Sequence, residues 1–179
     1  MTNQKNNKRT AAYKIALAAM FIAGDIILTR LISIPPFLGL EKLSFQFIPN
    51  MLCGIFLGPL WGAAALTAGD ITGVMLNSWG RPIHIGIMFS ATLRGFVYGI
   101  FLYKRKIRML NVLPAVLIIV ILIDLLIQSY WLSDLFGYGY DFVFLVKLPF
   151  KLVYIPMYTA IIYFTGKFIE KNNFTRLTY

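Results

Sequence analysis

The sequence is poor in the residues from which most protein chemistry is built. Among 179 residues there is one cysteine, Cys53, one histidine, His84, and only seven acids. A lone cysteine excludes an internal disulfide, and with a single histidine there is no set of soft ligands for a zinc or iron–sulfur centre. No G-x-x-x-x-G-K-[ST] loop occurs, so the chain lacks the usual means of cradling ATP, and any energised process must draw on a partner or an ion gradient. A GxSxG elbow, an HExxH pair and a recognisable nucleophile–base set are also missing, so no enzymatic activity, cofactor or metal is expected. Charged residues make up 13% of the chain, too few to coat a water-soluble domain of this size.

What the sequence has in abundance is apolar side chains, at 59% against roughly 45–50% in ordinary soluble domains. Apolar runs fall at 12–34, 46–59, 61–77, 85–103, 110–133 and 143–168. With about 20 residues needed per crossing, they predict an all-α integral membrane protein of six transmembrane helices. The expected organisation is one membrane domain over 1–179: a basic cytoplasmic tail at 1–11, the bundle at 12–168 and a second cytoplasmic tail at 169–179. The first run is too long for a signal peptide and lacks a clean cleavage site, so it is expected to stay as the first span. The second and third runs are short, and "LGPLWG" at 57–62 has the Gly-Pro punctuation of a tight helical hairpin.

The formal charge is +10. The basic residues sit at the ends of apolar runs and not on a polar face with interleaved aromatics, which argues against nucleic acid. Lys5, Lys8, Arg9 and Lys14 precede the first run, Lys104, Arg105, Lys106 and Arg108 separate the fourth and fifth, and Lys167, Lys171 and Arg176 follow the sixth. The positive-inside rule places those three regions, and so both termini, in the cytoplasm. Arg30, Lys42, Arg81, Arg94, Lys147 and Lys151 are left for the outer half or outer loops, with Glu41, Asp134 and Asp141. The outer connections, "ISIPPFLGLEKLS", "NSWGRPIHIG" and "SDLFGYGYDF", are rich in Gly, Pro, aromatics and charge, as loops over a binding site often are.

Asp25, Asp70, Arg94 and Asp124 lie deepest in the predicted spans, where an unpaired charge costs several kcal/mol. If the third and fourth spans form an antiparallel hairpin, Asp70 and Arg94 reach similar depth and an Asp70–Arg94 ion pair is one reading. In the other, Arg94 offers its planar fork to the carboxylate of a ligand arriving from outside. Arg30, Trp79, Arg81, Gln128, Tyr130, Trp131, Lys147 and Lys151 gather at the outer ends and suit a small anion with a planar or apolar body. An interfacial belt of aromatics and snorkelling cations accounts for the same residues one at a time. In the first run, Ala19 and Ala23 put two small side chains on one helical face, for packing within the bundle or for docking on another subunit. Two further classes stay open: a self-sufficient proton-coupled transporter using Asp25, Asp70 and Asp124, and a lipid-acting membrane enzyme. Acids scattered singly, with no D-x-x-x-D pair, count against the enzyme.

Three stretches, "ALAAMFIAGDIILTRLISI", "LSFQFIPNMLCGIFLGPLWGAAALTAGDITG" and "LRGFVYGIFLYKRK", carry a resemblance covering roughly 12–165. The chain resembles the substrate-binding membrane subunits, or S components, of energy-coupling factor (ECF) vitamin transporters, most closely the folate-type branch. The middle stretch is the specific one, with its F-x-F-I-P opening, G-x-x-x-G-P turn and G-D-x-x-G helix. The resemblance implies a six-helix subunit of the bacterial cell membrane that takes one vitamin from outside, with loops closing over it. It implies uptake powered by a transmembrane coupling protein and two cytoplasmic ATPases, with Ala19 and Ala23 at the alanine motif that docks on the coupling protein. Arg30, Trp79, Arg94, Gln128, Tyr130, Trp131 and Lys151 are the expected substrate contacts. The chain departs from the folate-type pattern after the third span, where "GRPIHIGIMFSATLRG" places Arg81, His84 and Arg94. Folate is therefore the first expectation and pantothenate the second.

Overall fold

The computed structural model describes residues 2–31, 40–41, 44–78 and 82–172, with side chains described from Ala12 onward and not at Arg30 or Leu31. The described residues are mostly helical. Helix α1 (Thr2–Ile26) runs into a π-helical turn over Ile27–Leu31; α2 covers Phe47–Leu76, α3 Ile85–Leu102 and α4 Met109–Leu117. A ten-residue π-helical segment, Ile118–Ile127, joins α4 to α5 (Gln128–Phe136), and α6 is Tyr140–Lys171. The α4–π–α5 run is continuous over Met109–Phe136.

Five helices among the described residues, and not six, are long and apolar enough to cross a membrane. The difference comes from α2, which carries the second and third predicted spans as a single element. It is nevertheless broken where the Gly-Pro signal predicts. Gly58 has φ 80 and ψ −177, a left-handed conformation that costs glycine little and other residues more, and Pro59 follows it. The two arms then fold onto each other: a Cβ on Gly62 would lie 3.5 Å from the Cys53 carbonyl oxygen, nine residues back. Cys53 and Leu57 of the first arm share one apolar cluster with Ala65 and Leu66 of the second and Phe21 of α1.

In lipid the hydrophobic effect gives helices little reason to associate, so close backbone approach must supply the attraction. The α2–α3 contact shows this. A Cβ on Gly95 would lie 2.6 Å from the Gly62 carbonyl oxygen, and one on Gly99 would collide with Pro59. The Thr67 and Thr92 hydroxyls meet 2.6 Å apart across the same interface. Around it the main core joins Met51 and Ile55 of α2, Tyr98 and Leu102 of α3, Val112 and Val116 of α4, Ile119, Val120 and Ile123 of the π segment, and Ile162 of α6.

Basic residues mark one end of the bundle. Lys14 lies 5.9 Å over the Trp61 ring, the Gly58 break faces the Tyr103 ring, and Gly166 lies against Ile107. The break, the Lys104–Arg108 connection and the tail of α6 thus share an end with the start of the first apolar run. At the opposite end α1 stops, α2 both begins and finishes, and the short links before α3 and α6 are found.

Candidate functional site

Helix α6 presents Lys147 and Lys151 one turn apart on its inner face, a spacing that aligns side chains. Both are buried, at 1% and 5% exposure, so neither is an anchor at the membrane surface. Opposite them, the π-helical segment turns Asp124 inward; π-helical stretches of this kind are often found at functional sites. Lys147 Nζ donates to the Asp124 carbonyl oxygen at 2.7 Å, and Lys151 Nζ lies 3.6 Å from Asp124 Oδ2. From α3, Arg94 Nη1 reaches to 3.7 Å from Asp124 Oδ1. From the connection between α1 and α2, Glu41 Oε1 accepts from Lys151 Nζ at 2.9 Å, and Glu41 Oε2 lies 4.0 Å from Lys147 Nζ.

Four separated parts of the chain therefore converge on one buried charge cluster, of three cations and two carboxylates. The pairing expected between Arg94 and Asp70 is replaced by a pairing with Asp124, while Asp25 and Asp70 add their charges at Arg94 from α1 and α2. Asp25 also reaches Asn50 of α2, whose amide donates to Asp25 Oδ1 at 3.2 Å when oriented to suit its neighbours.

The cluster does not satisfy itself. Arg94 Nε and Asp124 Oδ1 are buried without a hydrogen-bond partner, and outside the cluster the same holds for Ser129 Oγ, Thr159 Oγ1 and Trp131 Nε1. Each such orphan costs about 1–3 kcal/mol unless something polar meets it. An open guanidinium edge flanked by two buried lysines can take up an anion, because a charge-assisted bond is strongest where water is excluded.

Flat rings border it. Phe47, from the F-x-F-I-P stretch, stacks on Tyr158 at 4.1 Å and 25°, and Tyr158 stacks on Tyr154 at 5.2 Å and 11°. Lys151 Nζ sits 5.2 Å over the Tyr154 ring. Toward the end opposite the basic one, Trp131 covers bare Gly86, where any Cβ would collide with its ring. Leu40, Ile87, Leu132 and Val143 form a small apolar cap beside Trp131. His84 holds this end together: its Nδ1 accepts from the Gly86 N–H at 3.2 Å, and its Nε2 lies 3.5 Å from Asp134 Oδ2.

Of the residues expected to contact substrate, the structure brings Arg94 and Lys151 into the cluster and sets Trp131 in the cap. Gln128 is half-buried at the head of α5. Tyr130 is 59% exposed and edge-on to Trp131 at 5.1 Å, which is a belt position. Trp79 and the Arg30 side chain lie outside the described residues, as does Arg81. Glu41 as a counter-charge and the Phe47–Tyr158–Tyr154 ladder were not anticipated; the available signal was the four-residue spacing of the lysines, with Tyr154 and Tyr158 continuing along the same face.

Comparison with known proteins gives this geometry a context. Residues 13–170 match the family described as the ECF transporter substrate-specific component. The chain belongs to that family. It is a multi-pass membrane transport subunit, not an enzyme. Among the relatives of this S component is the folate transporter FolT of Clostridium novyi (strain NT), 30% identical over 153 residues that cover 86% of this chain and 87% of the relative. The folate transporter FolT of Leuconostoc mesenteroides subsp. mesenteroides is 25% identical over 157 residues, covering 84% and 83%. A crystal structure of FolT bound with folic acid superposes with a TM-score of 0.79 at 27% identity, covering 86% of this chain and 92% of that one.

Proposed function

We propose that this S component captures folate on the outer side of a bacterial cell membrane and hands it to a partner module for ATP-driven uptake. The observation that carries the reading is the buried, incompletely bonded cluster of Arg94, Lys147 and Lys151 beside a ladder of stacked rings. Folate has two carboxylates for the cations and a flat pterin for the aromatics. Pantothenate has one carboxylate and an aliphatic diol, which makes no use of the stacked rings. The folate-transporting relatives and the folic-acid-bound structure support the same choice. In this reading Arg94 grips a carboxylate, Lys151 supports the charge, Trp131, Tyr154 and Tyr158 are walls, Gln128 lines the approach, and Tyr130 stays in the interfacial belt. Arg30 and Trp79 are kept as further contacts on the sequence resemblance alone.

The deciding experiment is mass spectrometry of whatever co-purifies with the detergent-solubilised protein, followed by titration of the emptied protein with folate and pantothenate. Folate binding far tighter than pantothenate supports the reading; the reverse order overturns it.

The topology follows from α2. If each of its folded arms counts as one pass, the chain makes six, and both termini lie on the cytoplasmic side with the basic connection. The first arm, Phe47–Leu57, is about 16 Å long and reaches only part-way across the roughly 30 Å hydrocarbon core. Ala16, Ala19 and Ala23 are exposed on α1, which supports their use in docking on a transmembrane coupling protein bound to two ATPases. A proton-coupled route through Asp25 and Asp124 is disfavoured by the partners that hold them. Uptake by the chain alone in liposomes would reinstate that route.

A further inference from the structure

Glu41 is an odd neighbour for a pocket that takes an anion. It is buried, at 9% exposure, and its Oε1 accepts a 2.9 Å bond from Lys151 Nζ, the shortest contact between charged side chains in the cluster. Its other oxygen faces Lys147 at 4.0 Å. The bond joins residues 110 positions apart, so it ties the connection after α1 to α6.

The three cations are consequently not equivalent. Lys147 spends its shortest bond on the Asp124 carbonyl oxygen, and Lys151 spends its own on Glu41. Arg94 touches Asp124 only at 3.7 Å and keeps Nε without a partner. With Glu41 in place, the cationic group of the cluster that keeps a donor without a hydrogen-bond partner is Arg94, at Nε. A second incoming carboxylate meets lysines that already hold an anion, and it must displace Glu41 to reach them.

We infer that Glu41 is a built-in counter-anion that sets the charge selectivity of the pocket: it occupies the lysine pair, leaves Arg94 for one ligand carboxylate, and must yield before a second can bind. This rests on reading the cluster as the substrate pocket. It goes further by naming a residue of the same charge as the ligand as the determinant of how many ligand charges the pocket accepts. Two buried ammonium groups one turn apart repel each other, so the empty subunit requires such an anion to hold them. The same carboxylate then competes with the ligand.

The test compares folic acid, which has two carboxylates, with pteroic acid, which has the same ring system and one. Affinities of both for the wild-type subunit, Glu41→Gln and Glu41→Asp are read by quenching of tryptophan fluorescence in detergent. Removing the competitor should tighten folic acid by about tenfold or more and leave pteroic acid within about twofold. Glu41→Asp keeps the charge on a shorter arm; it should fold even if the glutamine variant does not, and show the same preference to a smaller degree. Equal changes for the two probes, or weaker folic acid binding, overturn the inference. If the wild type binds neither probe, the folate reading fails on its own, and thermal stability in glutarate and in butyrate decides the role of Glu41. Glutarate should then stabilise the Glu41 variants more than the wild type, with butyrate indifferent; identical responses in variant and wild type would overturn it.

Discussion

Helix α3 borders two regions built on opposite principles. On one side Gly95 and Gly99 let its backbone lie against Gly62 and Pro59 of α2, and the interface is complete in itself, with its two threonine hydroxyls paired. On another, Arg94 enters a buried charge cluster in which its own Nε and Asp124 Oδ1 lack hydrogen-bond partners. The first region behaves as scaffold, because nothing added to it could improve the fit. The second is incomplete, because it keeps buried polar atoms without hydrogen-bond partners. The two kinds of site sit within two turns of each other on the same helix, so the scaffold fixes the position of the incomplete one.

The comparison can be broken most directly at Arg94. Arg94→Ala should lower folate affinity by about a hundredfold or more, since a guanidinium–carboxylate fork contributes two charge-assisted bonds. The protein should still purify as a monodisperse species, because Asp124 keeps Lys151 at 3.6 Å. Titration combined with size-exclusion chromatography reads both, and undiminished binding would mean that the cluster is structural after all. Gly99→Ala should do the reverse. Its new methyl collides with Pro59, and overpacking of this kind costs roughly 1–3 kcal/mol. The loss should appear as a lower melting temperature in detergent, with folate affinity of the folded fraction unchanged.

Two smaller effects sharpen the contrast. Thr159→Val removes a buried hydroxyl that has no partner, so the ligand-free subunit should be no less stable, and more stable by up to about 1–3 kcal/mol. A fall in folate affinity in that variant would extend the ligand pocket to the residue that follows the tyrosine ladder on α6. Ala19→Trp, on the exposed face of α1, should leave the isolated subunit and its folate binding unaltered. Its effect should appear only as weaker co-purification with the coupling protein; loss of folate binding would show that this face belongs to the bundle.

Much of the scaffold was legible in residue order. The Gly-Pro signal at 57–62 located the break of α2 at Gly58, and the basic connection at 104–108 marked one end of the bundle. The count of spans was not legible, because whether a Gly-Pro break ends a helix or bends it depends on what the two arms touch afterwards. In the pocket, Arg94 stood out as a lone charge in an apolar run. Its partner did not, since the hairpin argument paired the third span with the fourth, whereas Asp124 comes from the fifth. Lys147 and Lys151 read equally as snorkelling anchors, a choice decided by which way α6 is rotated.

By itself the sequence determined the solvent, the helical class, the basic end and the family, because each follows from composition or from motifs contiguous in the chain. Only the tertiary structure decided that Asp124 meets Arg94, that both lysines are buried and that Glu41 joins them across 110 residues. Those contacts depend on the rotation and depth of each helix within the bundle. That geometry comes from packing among all of them and is written in no single segment.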